Sequence, residues 1–220
     1  MARAGFVIAI DGPAASGKGT IAEGLGAALG LPVLDSGLLY RAVGVTMVRE
    51  GRDPRDADAA ETTARNLDPA RLDDPGFRSR EAGEAASVVA AHPGVRSALK
   101  AFQQAFAAQD GGAVIDGRDI GTVIAPDAPA KLFVTATPEV RAERRFRQLK
   151  GQGETVAYED VLADIRRRDE RDMGRAAAPL VRAEDATLLD TTTMSISQAA
   201  DAARRMVEDA RARWEQSRQG

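Results

Sequence analysis

Nine consecutive residues, Gly12-Pro13-Ala14-Ala15-Ser16-Gly17-Lys18-Gly19-Thr20, have the make-up of a loop that holds phosphate. Glycines let backbone N–H groups converge on anionic oxygens, the start of a helix adds partial positive charge, and the Lys18 ammonium can reach the bridging and terminal phosphates of a nucleotide. The alternative is a glycine-rich turn with a surface lysine. The whole chain has four lysines, which makes a coincidence of lysine and glycines here a poor explanation. Gly19 stands where a hydroxyl commonly ligates magnesium, and Thr20 follows one position later. Thr20 is therefore expected to bind a phosphate oxygen, with Mg2+ held mainly by the phosphates of ATP and by water, as this ion permits.

A second set of residues suits a second anion. Arg168, Arg171 and Arg175 recur at i, i+3 and i+7, one face of a helix, and Arg141, Arg144 and Arg145 gather in the same way further upstream. Alone, with Asp164, Asp169, Glu170 and Asp172 interleaved, they would describe a solvated, salt-bridged surface. Beside a phosphate loop they gain another meaning. Moving a phosphoryl group between two nucleotides crowds negative oxygens together, so the catalyst must bring positive charge and exclude water. Arg168, Arg171 and Arg175 are then expected to turn toward phosphate, while Arg166 and Arg167 stay solvated. Lys150 to Thr155, polar and glycine-containing, suits a mobile lid between the two groups.

The elements that must position these residues alternate in type. Phe6 to Ile10 is a short apolar run ending at Asp11, and reads as a strand buried inside a parallel sheet. Ile21, Leu25 and Leu29 mark a helix stopped by Gly30-Leu31-Pro32. Val33-Leu34 opens a second strand, and Leu39, Val43 and Met47 mark another helix. Glu50 to Leu72 is Asp-rich without a clear period and reads as an insertion. A helix is expected over Ser79 to Ala91, and another from Pro93 with Val95, Leu99, Phe102 and Phe106 as its stripe. Ala113 to Ile115 is a third strand running into a polar loop, Asp116-Gly117-Arg118-Asp119, and Lys131 to Val134 a fourth. Thr137-Pro138-Glu139 opens a helix with a capping residue, a first-turn proline and a first-turn acid. Val161, Leu162 and Ile165 anchor the next. Thr187 to Leu189 is a fifth strand, and an amphipathic helix runs from about Ser197 toward Trp214. This alternation implies an α/β fold, a P-loop-type parallel sheet of about five strands covered by helices on both faces.

Composition narrows the chemistry. The 220 residues suit a single domain, 1–220, and a hydrophobic fraction of 44% with only nine aromatic residues implies a mainly aliphatic core. Thirty basic and 33 acidic residues leave a formal charge of −3, which argues against a dedicated nucleic-acid binder. With no cysteine and one histidine, thiol catalysis, disulfides, Cys-ligated zinc and paired-histidine metal sites are excluded. His92, before Pro93, reads as a helix-entry residue. No apolar run is long enough for a membrane span, so a cytoplasmic location is expected.

The ending Gly17-Lys18-Gly19-Thr20 resembles nucleoside monophosphate kinases. Asp35-Ser36-Gly37-Leu38-Leu39-Tyr40-Arg41, Asp116-Gly117-Arg118-Asp119-Ile120-Gly121-Thr122-Val123 and Arg168-Asp169-Glu170-Arg171-Asp172 with Arg175 and Ala178-Pro179-Leu180 narrow the resemblance to the bacterial cytidylate kinases. Ser87-x-x-Ala90-Ala91-x-Pro93-x-Val95-Arg96 fits the same family's monophosphate-binding insert, at about 38–110, and about 145–175 would be the lid with its arginine-rich helices. The resemblance implies transfer of the γ-phosphate of ATP to CMP, and to dCMP, by a monomer. It assigns catalysis to Lys18, Arg118, Arg168 and Arg175, and ATP binding to Gly12 through Thr20 and Arg144. It gives the acceptor's phosphate to Arg41, Arg118 and Arg175, its ribose to Ser36, Arg168 and Asp172, and its base to Ser87, Arg96 and Asp119, with Tyr40 nearby. The base assignment is chemically sound, since a carboxylate can accept from cytosine's exocyclic amine but would oppose the carbonyl of uracil. Asp35 or Asp116 would organise magnesium-bound water. Asp68 to Gly76 leaves no room for the small antiparallel sheet that family members carry before the Ser87 helix. The alternatives are a UMP, AMP or other small-molecule kinase of the same fold, and an ATP-binding module without catalysis.

Overall fold

A computed structural model describes residues 5–68 and 72–218. Five strands form one sheet in the order β2-β3-β1-β4-β5, every neighbouring pair parallel. They are β1 (Phe6–Asp11), β2 (Val33–Asp35), β3 (Gly112–Gly117), β4 (Ala130–Thr135) and β5 (Thr187–Asp190). The central strand is apolar on both faces because helices cover both. Ile8, Ile10, Val114, Leu132, Val134 and Leu189 pack on one side against Ile21 and Leu25 of α1 (Lys18–Leu29) and Ala203 and Val207 of α8 (Ile196–Ser217). On the other side Ala9, Leu34 and Ile115 meet Ala107 of α5 (Pro93–Ala107) and Ile120 and Ile124 of a single π-helical turn, Ile120–Ile124.

Two further units stand above the carboxyl ends of the strands, where ligands of open α/β sheets bind. The first gathers α2 (Ser36–Arg49), α3 (Ala57–Arg65), α4 (Arg80–Val89) and α5 around Leu39, Val43, Met47, Val89, Val95 and Leu99. The second is a helical hairpin of α6 (Pro138–Gly151) and α7 (Tyr158–Met173), whose small core of Ala142, Leu149, Val161 and Ile165 includes Ala14 of the phosphate loop.

Two local expectations are corrected. The Asp-rich insertion contains α3, capped by Asp56 through a bond from the Ala59 amide at 3.0 Å. Its buried residues, Ala60, Thr63 and Ala64, are too small to produce a visible apolar stripe. β3 runs on through Asp116 and Gly117, which the sequence places in a loop. The hairpin begins at Pro138, where the triplet Thr137-Pro138-Glu139 places the start of a helix. Among the described residues no strand lies between β2 and β3, in keeping with the shortened stretch Asp68 to Gly76, of which residues 69–71 are outside the described set.

Candidate active site

A cleft of about 790 Å³ runs between the two upper units and the sheet. One end is backbone. Gly12 sits at φ 154° with the Val134 carbonyl oxygen 2.0 Å from where a Cβ would be, so only glycine lets the loop leave β1 against β4. Gly17 has φ 94° and precedes α1 without any side-chain cap, which leaves the amides of the first turn turned to the cleft mouth. Ala15, a non-glycine at φ 59°, carries backbone strain of the kind found where a loop is shaped for a ligand. Ala14 through Thr20 line the cleft, and Gly12 and Pro13 form its buried support.

Lys18 reaches inward, its Nζ 3.9 Å from Asp116 Oδ2. Burial and the Arg118 guanidinium together lower its pKa to about 8, against the pull of Asp116 and Asp35. Burial and the neighbouring charge of Asp35 raise Asp116 to about 7. Asp35 accepts from the Leu38 amide at 3.2 Å as the cap of α2 and pairs with Arg41. Arg144 spans to the loop, donating to Ser16 O at 3.3 Å and to Thr191 Oγ1 at 2.9 Å.

The other end is built from side chains of separate segments. Asp172 lies between two arginines: Arg118 Nε donates to it at 2.8 Å, and Arg175 pairs with its second oxygen. Burial pushes the Asp172 carboxyl up, but the two guanidinium groups overcome this and hold it below the usual carboxylate range. Arg168 is half-buried beside them, and burial together with the Arg118 charge lowers it to about 10. Arg96 pairs with Asp119 and lies over the ring of Tyr40, 5.5 Å from its centroid. Ser36 and Ser87 are buried and line the same wall.

Buried polar atoms normally find partners. Of the buried side-chain atoms without a partner among the described residues, Thr122 Oγ1 and Arg171 Nη1 lie off this cleft, and the other six belong to residues that line it: Ser16 Oγ, Arg41 Nε, Ser87 Oγ, Asp116 Oδ1, Arg168 Nε and Arg175 Nε. Their distribution asks for a ligand with anionic groups toward the loop and the arginines, and hydrogen-bonding edges toward Ser87.

The structure thus brings together every predicted site residue from Ala14 to Thr20 with Ser36, Tyr40, Arg41, Ser87, Arg96, Arg118, Asp119, Arg144, Arg168, Asp172 and Arg175, as well as Asp35 and Asp116. Two arginines depart from expectation. Arg141 is buried and fully engaged, bonding Ala136 O at 2.9 Å, Ala14 O at 3.2 Å and Asp169 Oδ1 at 2.9 Å. Arg171 does not line the cleft and meets Glu84 of α4 at 2.9 Å. Arg166 and Arg167 are exposed, as expected, and pair with Glu139 and Asp164. Sequence reasoning missed Thr191, whose hydroxyl donates to Thr135 O at 3.0 Å and receives Arg144, and the cleft wall formed by Met194, Ile196 and Ala199. The signal was available in Thr191-Thr192-Thr193, three hydroxyls at the carboxyl end of a parallel strand.

Comparison with other proteins agrees with this geometry. Residues 8–209 match the family model described as cytidylate kinase. The chain is 64% identical over 209 residues to the cytidylate kinase of Caulobacter sp. (strain K31), covering 95% of this chain and 97% of that one. It is 66% identical over 209 residues to the cytidylate kinase of Caulobacter vibrioides (strain NA1000 / CB15N), covering 95% and 98%. The crystal structure of a gluconokinase from Sinorhizobium meliloti 1021 shares the fold, with a TM-score of 0.52 and 16% identity over 99% of each chain.

Proposed function

The chain belongs to the cytidylate kinase family, and from that premise we propose that it transfers the γ-phosphate of ATP to CMP, giving CDP and ADP. The observation that carries this reading is a single cleft with a phosphate loop at one end and, at the other, a cluster of arginines joined to a base-sized pocket edged by a carboxylate. An ATP-binding module has no use for the second anion site.

In this reading the α1 amides and Lys18 hold the donor's phosphates, with Thr20 at the first turn of α1. Arg41, Arg118 and Arg175 hold the acceptor's phosphate, and Ser36, Arg168 and Asp172 face its ribose. Ser87, Arg96 and Asp119 meet the base, with Tyr40 beneath Arg96. Lys18, Arg118, Arg168 and Arg175 offset charge that spreads over the equatorial oxygens in the transition state, and burial makes each worth more than it would be in water. Arg144 ties the loop to Thr191 so that the donor end keeps its shape. No side chain needs to bond covalently to the phosphoryl group.

The divalent cation that family kinases use with ATP is Mg2+ in this proposal. This ion commonly keeps several waters and is held largely by substrate phosphates. Asp116, with one oxygen unpartnered, and Asp35 fit as acceptors from its water. When bound, the ion neutralises charge on the donor's phosphates. Among the described residues no helix is long and apolar enough to cross a membrane. A cytoplasmic monomer acting on CMP and dCMP, with 1–220 as one domain and the insert and hairpin closing over its substrates, completes the reading.

The test is a coupled ADP-release assay across CMP, dCMP, UMP, AMP and GMP, with the wild-type protein and Asp119→Ala. CMP should be the preferred ribonucleotide, and the variant should lose at least about tenfold more kcat/KM with CMP than with UMP, because the carboxylate is a partner for cytosine only. Equal losses would remove the base-reading role, and a preference for another monophosphate would remove the substrate assignment.

A further inference from the structure

Asp119 directly precedes the π-helical turn, the position from which an aspartate ordinarily accepts the first free amides of a helix. It makes no such bond. Its carboxylate receives Arg96 and faces the cleft. The amides it neglects are nevertheless satisfied from the far end of the sequence: Ile120 N–H donates to Asp11 Oδ1 at 2.7 Å, and Gly121 N–H to Asp11 Oδ2 at 2.7 Å.

Asp11 is the last residue of β1 and is only 4% exposed. Burying a carboxylate at the end of the central strand is costly. Burial pushes its pKa up to about 6, with the Gly121 and Ile120 amides opposing and the Asp119 charge adding to the rise. In this arrangement each carboxylate oxygen takes one amide, whereas an asparagine would turn its own NH2 donor toward one of the two N–H groups. The residue is therefore placed at a cost, and what it holds is the turn that begins immediately after Arg118 and Asp119.

We propose that Asp11 is a positioning residue that caps the turn Ile120–Ile124 in place of Asp119, leaving the Asp119 carboxylate free to face Arg96 and the acceptor base. Without it, the two amides that directly follow Asp119 in the chain would be bare and would compete with Arg96 for its oxygens. Because Asp11 also directly precedes Gly12, the strand end that carries the phosphate loop fixes the turn that reads the acceptor. This inference rests on the reading of Asp119 as the base-facing group.

Asp11→Asn is the main test. It should lower the CMP-over-UMP ratio of kcat/KM by about tenfold while the KM for ATP changes by less than about twofold. A residue that merely supports the fold would lower efficiency with both acceptors alike, and that result would overturn the proposal. In Asp119→Ala the ratio should already be low, and adding Asp11→Asn should lower it no further, whereas additive losses would show that Asp11 acts by another route. Should Asp11→Asn fail to fold, amide hydrogen exchange of Ile120 and Gly121 decides the matter in the wild type and in Asp119→Ala. Unchanged protection in Asp119→Ala supports capping by Asp11, and a loss of about tenfold or more means that Asp119 caps its own turn. If Asp119→Ala keeps full selectivity for CMP, the base-reading role fails while the exchange data still report on the cap, so the two failures are distinguishable.

Discussion

At the phosphate-loop end of the cleft, nine contiguous residues supply mostly backbone groups, held by two strands and the first turn of α1. The arginine end draws side chains from α2, α4, α5, the residues after β3, α7 and the segment beyond it, and holds them by pairing one charge against another. A backbone cradle takes its geometry mainly from the strand and helix that carry it, with Arg141 and Arg144 bracing two of its carbonyls. A lattice of guanidinium and carboxylate groups keeps its geometry only while every partner stays in place, since an unpaired buried charge is strongly destabilising. The donor end should therefore respond to substitution mainly at Lys18, and the acceptor end at many positions with effects that do not add.

The largest effect is expected from Lys18→Met. It removes the one side-chain cation of the loop and leaves an unbranched chain of similar length, so turnover should fall by about 10³-fold or more with the far-ultraviolet circular dichroism unchanged. Near-normal turnover would mean that the amides of the cradle suffice by themselves. Arg168→Ala comes next. It takes a half-buried cation from beside Asp172, and kcat/KM for CMP should drop by about 10²-fold, with a smaller change in the KM for ATP. Equal changes for both substrates would erase the distinction between the two ends.

The same contrast governs what could be read before the fold was seen. The phosphate loop was legible because its chemistry is contiguous: spacing alone brings the glycines and Lys18 together. The strands were legible from short β-branched runs, and the helix at Pro138 from its opening triplet, where Thr137 accepts from the Val140 amide at 3.4 Å. At the arginine end, spacing gave the helix face but not the partners. Arg141 belongs to the predicted cluster, yet Asp169 and two backbone carbonyls hold it away from the cleft, in a buried network that couples α6, α7 and the loop. Roles for Arg118, Asp119 and Arg96 came from family resemblance, because nothing local joins residues 23 positions apart, as Arg96 and Asp119 are. Asp11 carried no signal, since an acid at a strand end is equally at home in solvent.

Acidity offers a finer probe of the donor end. Lys18 acts as an ammonium, and burial with the Arg118 charge lowers its pKa to about 8, so kcat/KM for ATP should fall as the pH rises through that value. Asp116 opposes this fall by favouring the charged lysine. Asp116→Asn should move the alkaline limb to lower pH, by up to about one unit. A limb that stays in place would mean that Lys18 does not feel Asp116, and that the 3.9 Å approach is incidental.

The smallest effect is the most diagnostic of how the arginine end is assembled. Arg171 shares a helix face with Arg168 and Arg175, and by spacing alone all three belong together. Its guanidinium meets Glu84 on α4, the two side chains being 29% and 48% exposed. Exposed pairs of this kind contribute about 0–1 kcal/mol and are screened by salt. Arg171→Ala should keep kcat/KM for CMP within about threefold of wild type at moderate ionic strength, against the much larger loss in Arg168→Ala. A loss in Arg171→Ala as large as that in Arg168→Ala would put Arg171 on the acceptor after all, and helix spacing rather than ion pairing would then be the better guide to which arginines serve the reaction.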